Sequence, residues 1–278
     1  MPELPEVETI ARGVNLRLRG DRILEAWFGS YPKLFKTPAP RQAKSLEGRT
    51  ILSVHRTGKH IVCELGSAAC SPLAESEVQW IVHLGMTGRL LVTTPEAPVA
   101  PHTHARLSLA SGRELRFVDP RRFGRLDLRD LGRSPAFSAA GADPLTVTAA
   151  EFPRIFRTRR LSIKAALLNQ NLLSGVGNIY ADESLFHARI RPRRLCARLT
   201  RAELEALRLA LRQVLQHAIQ LGGSSVSDYV DADGERGFFQ LEHCVYQRAD
   251  LPCRLCQTPI RRILLAGRGT HYCPQCQR

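Results

Sequence analysis

Two cysteine pairs near the C-terminus constrain this chain more than any other feature. Cys253-x2-Cys256 is followed, after sixteen residues, by Cys273-x2-Cys276. Each close pair can ligate one metal from a tight turn, and four thiolates suit tetrahedral Zn2+. Pro252 and Pro274 help set those turns. With all four positions taken by sulfur, none is left for water, so the predicted single ion is structural and not catalytic. The alternative, two redox or disulfide pairs, has no other feature in its favour. Cys63, Cys70, Cys196 and Cys244 lack metal-ligand spacing and are expected to be buried or incidental.

Charge narrows the partner. The 278 residues give room for two domains, and a hydrophobic share of 44% supplies each with a core. Forty Lys and Arg stand against 26 Asp and Glu, a net charge of +14. A small-metabolite enzyme rarely needs that excess. A polyanion explains it, because each phosphate neutralised releases condensed counterions. The plainer reading is a solvated surface. No apolar run approaches membrane-spanning length, so no membrane partner is expected. The start, MPELPEVETI, lacks a basic segment followed by an apolar one and is not read as a signal peptide. The expected compartment is the cytoplasm, where thiols stay reduced.

The order of patterns predicts an α+β multidomain protein. Residues 4–19 read as a helix, with Pro5 and Glu6 in the first turn and Val7, Ile10, Ala11, Val14 and Leu18 at helical spacing. From Ile23 to about Leu128 short β-like runs predict an antiparallel sandwich: Thr50–His55, His60–Leu65, Trp80–Leu84, Arg89–Val92, Ala105–Leu109 and Glu114–Val118. Loops are expected at 66–77 and 94–104. Helices are expected at 149–157, 162–170, 178–187 and 201–221, the last opened by a Thr200/Glu203 capping box. Residues 222–242, rich in Gly, Ser and Asp, read as mobile. The resulting division is a sandwich domain over 1–133, a linker over 134–150, a helical domain over 151–250 and a zinc finger over 251–278.

Three local features admit two readings each. Between the cysteine pairs, a hairpin would present Arg268 on a glycine-flanked turn, suited to a phosphate or simply solvent-facing. In SGVGN (174–178), Asn178 can cap the next helix and offer an anion site, although a tight turn is the plainer reading. His102 and His104 form His-x-His in the Pro-rich loop. A metal site is conceivable there and a solvated loop simpler; His102 is carried with the DNA-contacting set.

PELPEVE at the start, HLGMTG (83–88), DPRRFG (119–124), GVGNIYADESLF (175–186) and the terminal YCPQCQ occur in one order over the whole chain. Together they resemble bacterial formamidopyrimidine-DNA glycosylases of the Fpg/Nei family. The resemblance implies a helix-two-turn-helix domain behind the sandwich. It also implies loss of Met1, leaving Pro2 as a nucleophilic N-terminal amine. Glu3 would be the proton donor, Glu6 a support for the amine, Lys59 the proton donor for β-elimination and Arg268 that for δ-elimination. Met86, Arg121 and Phe123 would fill the space of a flipped-out base. Lys164, Asn178 and Arg268 would grip phosphates, and 222–242 would cover the lesion. AGADPL (140–145) departs from the family's usual turn.

The implied activity is a bifunctional DNA glycosylase and AP lyase acting on 8-oxoguanine and formamidopyrimidines. Its partner would be double-stranded DNA carrying oxidised purines or abasic sites, bound by a nucleoid-associated monomer. Two rivals remain. One is an endonuclease VIII-type enzyme preferring oxidised pyrimidines, disfavoured by PELPE and the Arg121–Phe123 pair. The other is a non-catalytic zinc-finger DNA binder, disfavoured by Pro2, Glu3 and Lys59 together.

Overall fold

A computed structural model describes residues 1–67, 75–226 and 229–278. Cys70 and most of the 66–77 loop lie outside the described residues. The chain divides into two units: Met1–Ser138 with Gly222–Gly237, and Ala139–Leu221 with Phe238–Arg278.

The first unit begins with α1 (Leu4–Leu18). A capping box between Glu3 and Glu6 opens it, and Leu4, Val7, Ile10, Ala11, Val14 and Leu18 are buried along one stripe. Each large aliphatic side chain buried this way contributes about 1.5–3 kcal/mol. Eight strands follow among the described residues: β1 (Ile23–Phe28), β2 (Thr50–Thr57), β3 (His60–Gly66), β4 (Val78–His83), β5 (Arg89–Thr93), β6 (Thr103–Leu109), β7 (Glu114–Val118) and β8 (Arg125–Asp130). They form two antiparallel four-stranded sheets, ordered β1-β6-β7-β5 and β2-β3-β4-β8. One buried cluster takes side chains from both sheets and from α1, so the predicted sandwich is present.

Two features of this unit differ from the sequence reading. A helix, α2 (Ala39–Leu46), interrupts the run read as β. Its segment buries only Gln42 and Leu46, too few apolar residues to show a helical period. Gln42 is fully buried because it completes polar contacts: Trp80 Nε1 donates to its Oε1 at 3.0 Å, and its Nε2 donates to Thr37 O at 2.7 Å. The second difference lies in the segment expected to be mobile. Gly222–Gly237 clusters with the sandwich and not with the helical unit. Tyr229 and Ala232 join the core that includes α1, Val92 N donates to Ala232 O at 2.9 Å, and Arg17 pairs with Asp233. Gly, Ser and Asp signalled turns there, but two apolar residues suffice to anchor them.

The second unit holds α3 (Glu151–Phe156), α4 (Ile163–Leu168), α5 (Asn178–His187) and α6 (Arg201–Gln220). Thr200 and Glu203 form the predicted capping box of α6, whose buried face runs from Leu204 to Ala218. Ser162 Oγ accepts from Ala165 N at the start of α4. The chain closes with the hairpin β9 (Arg261–Leu265) and β10 (Arg268–Tyr272). No helix among the described residues is long and apolar enough to cross a membrane.

Candidate active site and metal centre

At the start of α1, Pro2 is buried and Glu3 is 4% exposed. Glu6, also buried, serves two backbones. Its Oε2 accepts from Glu3 N at 2.8 Å and its Oε1 accepts from Ser224 N at 2.8 Å. Tyr229 Oη donates to Gly222 O at 3.0 Å, steadying the same segment. Gly223 has φ +84°, and a Cβ there would lie 2.9 Å from Glu6 Oε1, so only glycine lets the chain come this close. Glu6 thus fixes residue 3 and the 222–225 backbone to each other.

Lys59 sits in the two-residue turn Gly58–Lys59 between β2 and β3, just ahead of the β3 strand. Gly58 takes φ +61° there. Arg56, which the sequence reading did not single out, links this turn to α1. Its Nε donates to Glu8 Oε2 at 2.8 Å and its Nη1 to Gly58 O at 3.2 Å. Close by, His60 and His83 face each other with ring centroids 4.9 Å apart. Burial first, then neighbouring positive charge (Lys36 for His60; His60 and Lys59 for His83), lowers both to about 4. His83 Nδ1 accepts from Gly85 N at 3.2 Å, which requires the neutral ring.

Gly85 opens the turn that carries Met86, and a buried carboxylate joins this turn to a second one. Asp119 is fully buried. Thr87 Oγ1 donates to its Oδ1 at 2.6 Å, and Gly124 N donates to its Oδ2 at 2.7 Å. Arg121 N donates to Thr87 Oγ1 at 3.2 Å. A Cβ on Gly85 would meet Phe123 C and Gly124 N at 2.5 Å, so the turns stack backbone on backbone. The outcome is a pair of locked turns with exposed tips: Met86 is 38% and Phe123 49% exposed, and Arg121 lies 5.0 Å over the Phe123 ring. His102 O accepts from Asp119 N at 3.0 Å, which brings that exposed histidine to the same turns. His104 is buried, its Nε2 3.2 Å from Asp119 O. The His-x-His pair is therefore split between surface and core and makes no metal cluster among the described residues.

In the second unit, Arg268 is exposed beside the tight turn of the β9–β10 hairpin, where Ala266 and Gly267 take positive φ. Asn178 does not cap α5. The cap is Gly177, and Asn178, the first helical residue, donates through Nδ2 to Gly269 O at 2.9 Å. Lys164 requires a correction: it does not reach the surface to grip a phosphate but is 0% exposed. Its ammonium donates to Gly269 O at 3.1 Å and Thr270 Oγ1 at 2.8 Å and lies 2.6 Å from Asp182 Oδ1. Two acceptors and a buried carboxylate thus surround the ammonium. Lys164 and Asn178 both hold the carbonyl next to Arg268, so they position that arginine. Exposed cations stand just before α4 instead, at Arg157, Arg159 and Arg160. The RTRR run was the available signal for them and was passed over.

The four finger sulfurs lie within 4.8 Å of one another, with Cys253–Cys276 at 3.9 Å and Cys256–Cys273 at 3.5 Å. Tetrahedral zinc with Zn–S of about 2.3 Å places sulfurs about 3.8 Å apart, so the donor set fits one structural Zn2+. Cys253 and Cys273 also join Phe186, Val245 and Ile260 in a small buried cluster.

Three family profiles match the chain. These are the formamidopyrimidine-DNA glycosylase N-terminal domain over residues 1–126, the formamidopyrimidine-DNA glycosylase H2TH domain over 140–230, and a zinc finger found in FPG and IleRS over 250–278. A formamidopyrimidine-DNA glycosylase of Thiobacillus denitrificans is 43% identical over 281 residues, covering 100% of both chains. One from Thermus thermophilus is 43% identical over 289 residues, covering 100% of this chain and 98% of its own. Among solved structures, the Lactococcus lactis Fpg in complex with abasic-site DNA matches with TM-score 0.86 and 33% identity, covering 99% of each chain. The LlFpg protein in complex with a THF-DNA and an inhibitor matches with TM-score 0.88 and 34% identity, covering 100% of each. The chain belongs to the formamidopyrimidine-DNA glycosylase family.

Proposed function

We propose that this DNA glycosylase of base excision repair removes oxidised purines, chiefly 8-oxoguanine and formamidopyrimidines, from double-stranded DNA and then cuts the strand as an AP lyase. The observation that carries the reading is the start of α1, where buried Pro2 adjoins a Glu3 whose backbone is fixed by Glu6. With Met1 removed, Pro2 presents a secondary α-amine. Such amines titrate near 8, against about 10.4 for lysine, so far more of it is free base at neutral pH. Attack on the deoxyribose C1′ breaks the bond to the base and leaves an iminium. This cation acidifies the adjacent C–H bonds and lets the phosphates depart by β- and δ-elimination. Glu3 is the matching proton donor. Lys59, on a turn tied to α1 through Arg56 and Glu8, assists at the phosphate beside the lesion.

Reaching C1′ requires the damaged nucleotide to leave the stack. The exposed tips Met86, Arg121 and Phe123 suit the vacated space, two being apolar wedges and one a hydrogen-bond donor to the widowed base. Arg268 contacts a phosphate, positioned by Lys164 and Asn178, and His102 joins the DNA-facing set. Zinc supplies only a cross-link that holds the β9–β10 hairpin. We further propose that the protein works as a cytoplasmic, nucleoid-associated monomer.

Borohydride trapping tests the reading. The protein is incubated with duplexes carrying 8-oxoguanine or an oxidised pyrimidine, and adducts are separated by size. A trapped adduct with 8-oxoguanine DNA is expected, and Pro2→Gly abolishes it while lesion-DNA binding stays within a few-fold. No adduct with either duplex would sink the enzymatic reading, and an adduct with the pyrimidine alone would transfer it to the endonuclease VIII type.

A further inference from the structure

The fold brings together three side chains that sequence spacing keeps apart. Glu183 and His187 stand one turn apart on α5 and so share a helix face. Cys244 meets that face, its Sγ 3.9 Å from His187 Nε2, and one donor atom from each of the three lies within 4.8 Å of the others. The arrangement is held from beneath. Glu183 Oε1 accepts from Val245 N at 3.0 Å and Tyr246 N at 2.8 Å, and its Oε2 accepts from Cys244 N at 2.9 Å. Carboxylate and thiol therefore keep a fixed register. A carboxylate oxygen has two lone-pair sites, so these bonds leave Oε2 with capacity for a cation.

The surroundings allow entry. Glu183 is buried, Cys244 half-buried and His187 exposed. The group borders a cavity of about 280 Å³ lined by His187, His217, Phe239, Glu242, Cys244 and Arg254. We propose that Glu183, His187 and Cys244 form a second metal site, separate from the four-cysteine finger, for a borderline divalent cation of the zinc class. Thiolate with imidazole and carboxylate is a donor set that zinc accepts and that Mg2+ and Ca2+, which prefer all-oxygen shells, do not. Ligands at zinc's bond lengths place sulfur and nitrogen about 3.6 Å apart, so the 3.9 Å separation needs only a small rotamer adjustment. Three protein donors leave a fourth position facing the cavity, where water or an anion completes the shell. As the metal–sulfur bond forms, the thiol proton passes to solvent. The bound ion ties α5 to the segment leading into the finger.

Cobalt titration tests the site independently of any activity on DNA. The full chain, with its finger loaded with Zn2+, is titrated with Co2+. One further equivalent is expected to bind with micromolar or tighter affinity. Its near-ultraviolet sulfur-to-cobalt band should have roughly a quarter of the per-ion intensity of a cobalt-substituted four-cysteine finger, one thiolate replacing four. Cys244→Ser and His187→Ala, which leave the Glu183 backbone clamp intact, should each weaken that equivalent at least tenfold while retaining one zinc per chain. Absence of the band in the unaltered protein at hundred-micromolar Co2+, or its persistence in Cys244→Ser, would overturn the proposal.

Discussion

Lys164 carries its charge where solvent does not reach, facing Asp182, and both side chains are 0% exposed. Removing one partner of such a pair strands the other, which costs about 3–5 kcal/mol. Lys164→Met should therefore lower the stability read from urea unfolding by that much yet leave the salt slope of DNA binding unchanged beyond what lost folding explains. Arg160→Ala should do the reverse, keeping the midpoint and flattening the slope by roughly one counterion. If Lys164→Met flattened the slope with its stability intact, the buried assignment would be wrong. The His60–His83 pair gives a second residue-scale expectation. Both are lowered from the ordinary 6.5 to about 4, so between those values the unfolded chain binds protons that the folded one refuses. Stability is then fully present above about 6.5 and drains away as pH falls toward 4. His83→Gln, which keeps an acceptor for Gly85 N, should make the urea midpoint less sensitive between pH 7.5 and 5. An equal loss in both proteins would remove the pair from the account.

Turns, more than strands, carry this protein's candidate chemistry, and two of them depend on Asp119. Asp119→Ala leaves Thr87 Oγ1 and Gly124 N buried without their acceptor, each costing about 1–3 kcal/mol. Asp119→Asn retains one carbonyl oxygen and should lose about half as much. On the role proposed above for Met86, Arg121 and Phe123, loosening their turns should also narrow the discrimination between bases opposite 8-oxoguanine several-fold. Single-turnover rates on matched duplexes read this directly, and unchanged ratios in a folded Asp119→Ala protein would detach the clamp from base selection. The elements themselves were largely legible. A short run between turn residues marked β7 to the residue, and the Thr200/Glu203 box marked the start of α6. The α2 helix was not, because its burial rests on a glutamine serving Trp80, which no hydrophobic period reveals. The motifs point to Pro2, Glu3, Met86 and Lys164 alike, yet Lys164 is fully buried beside Asp182. A motif names the type of a side chain and not the direction it points. Asp119 and Arg56 were missed for a related reason: the partners that make them cross-links, Thr87 and Glu8, lie 32 and 48 residues away.

The whole molecule divides into two units, one of which carries the finger, and zinc separates them experimentally. The sandwich has a core drawn from both sheets, α1 and the 222–237 segment. The finger contributes only Cys253, Ile260 and Cys273 to its buried apolar cluster, two of them its own metal ligands, the rest coming from Phe186 and Val245. A cluster of that size cannot offset the entropy of ordering its chain, so metal binding supplies folding energy there. The two tryptophans, Trp27 and Trp80, both belong to the sandwich unit. Tryptophan fluorescence therefore follows that unit alone, while far-ultraviolet helicity follows mainly α3 to α6. Cys273→Ser should release the finger's zinc and lower the helical transition by ten degrees or more, a shift of about 2–3 kcal/mol for a unit of this size. The fluorescence transition should stay within about two degrees. On the proposed mechanism, borohydride trapping at Pro2 should then survive at saturating DNA, with affinity reduced at least tenfold through loss of the support for Arg268. If the fluorescence transition fell in step with the helical one, the two units would unfold as one, and zinc would stabilise the whole chain and not the finger alone.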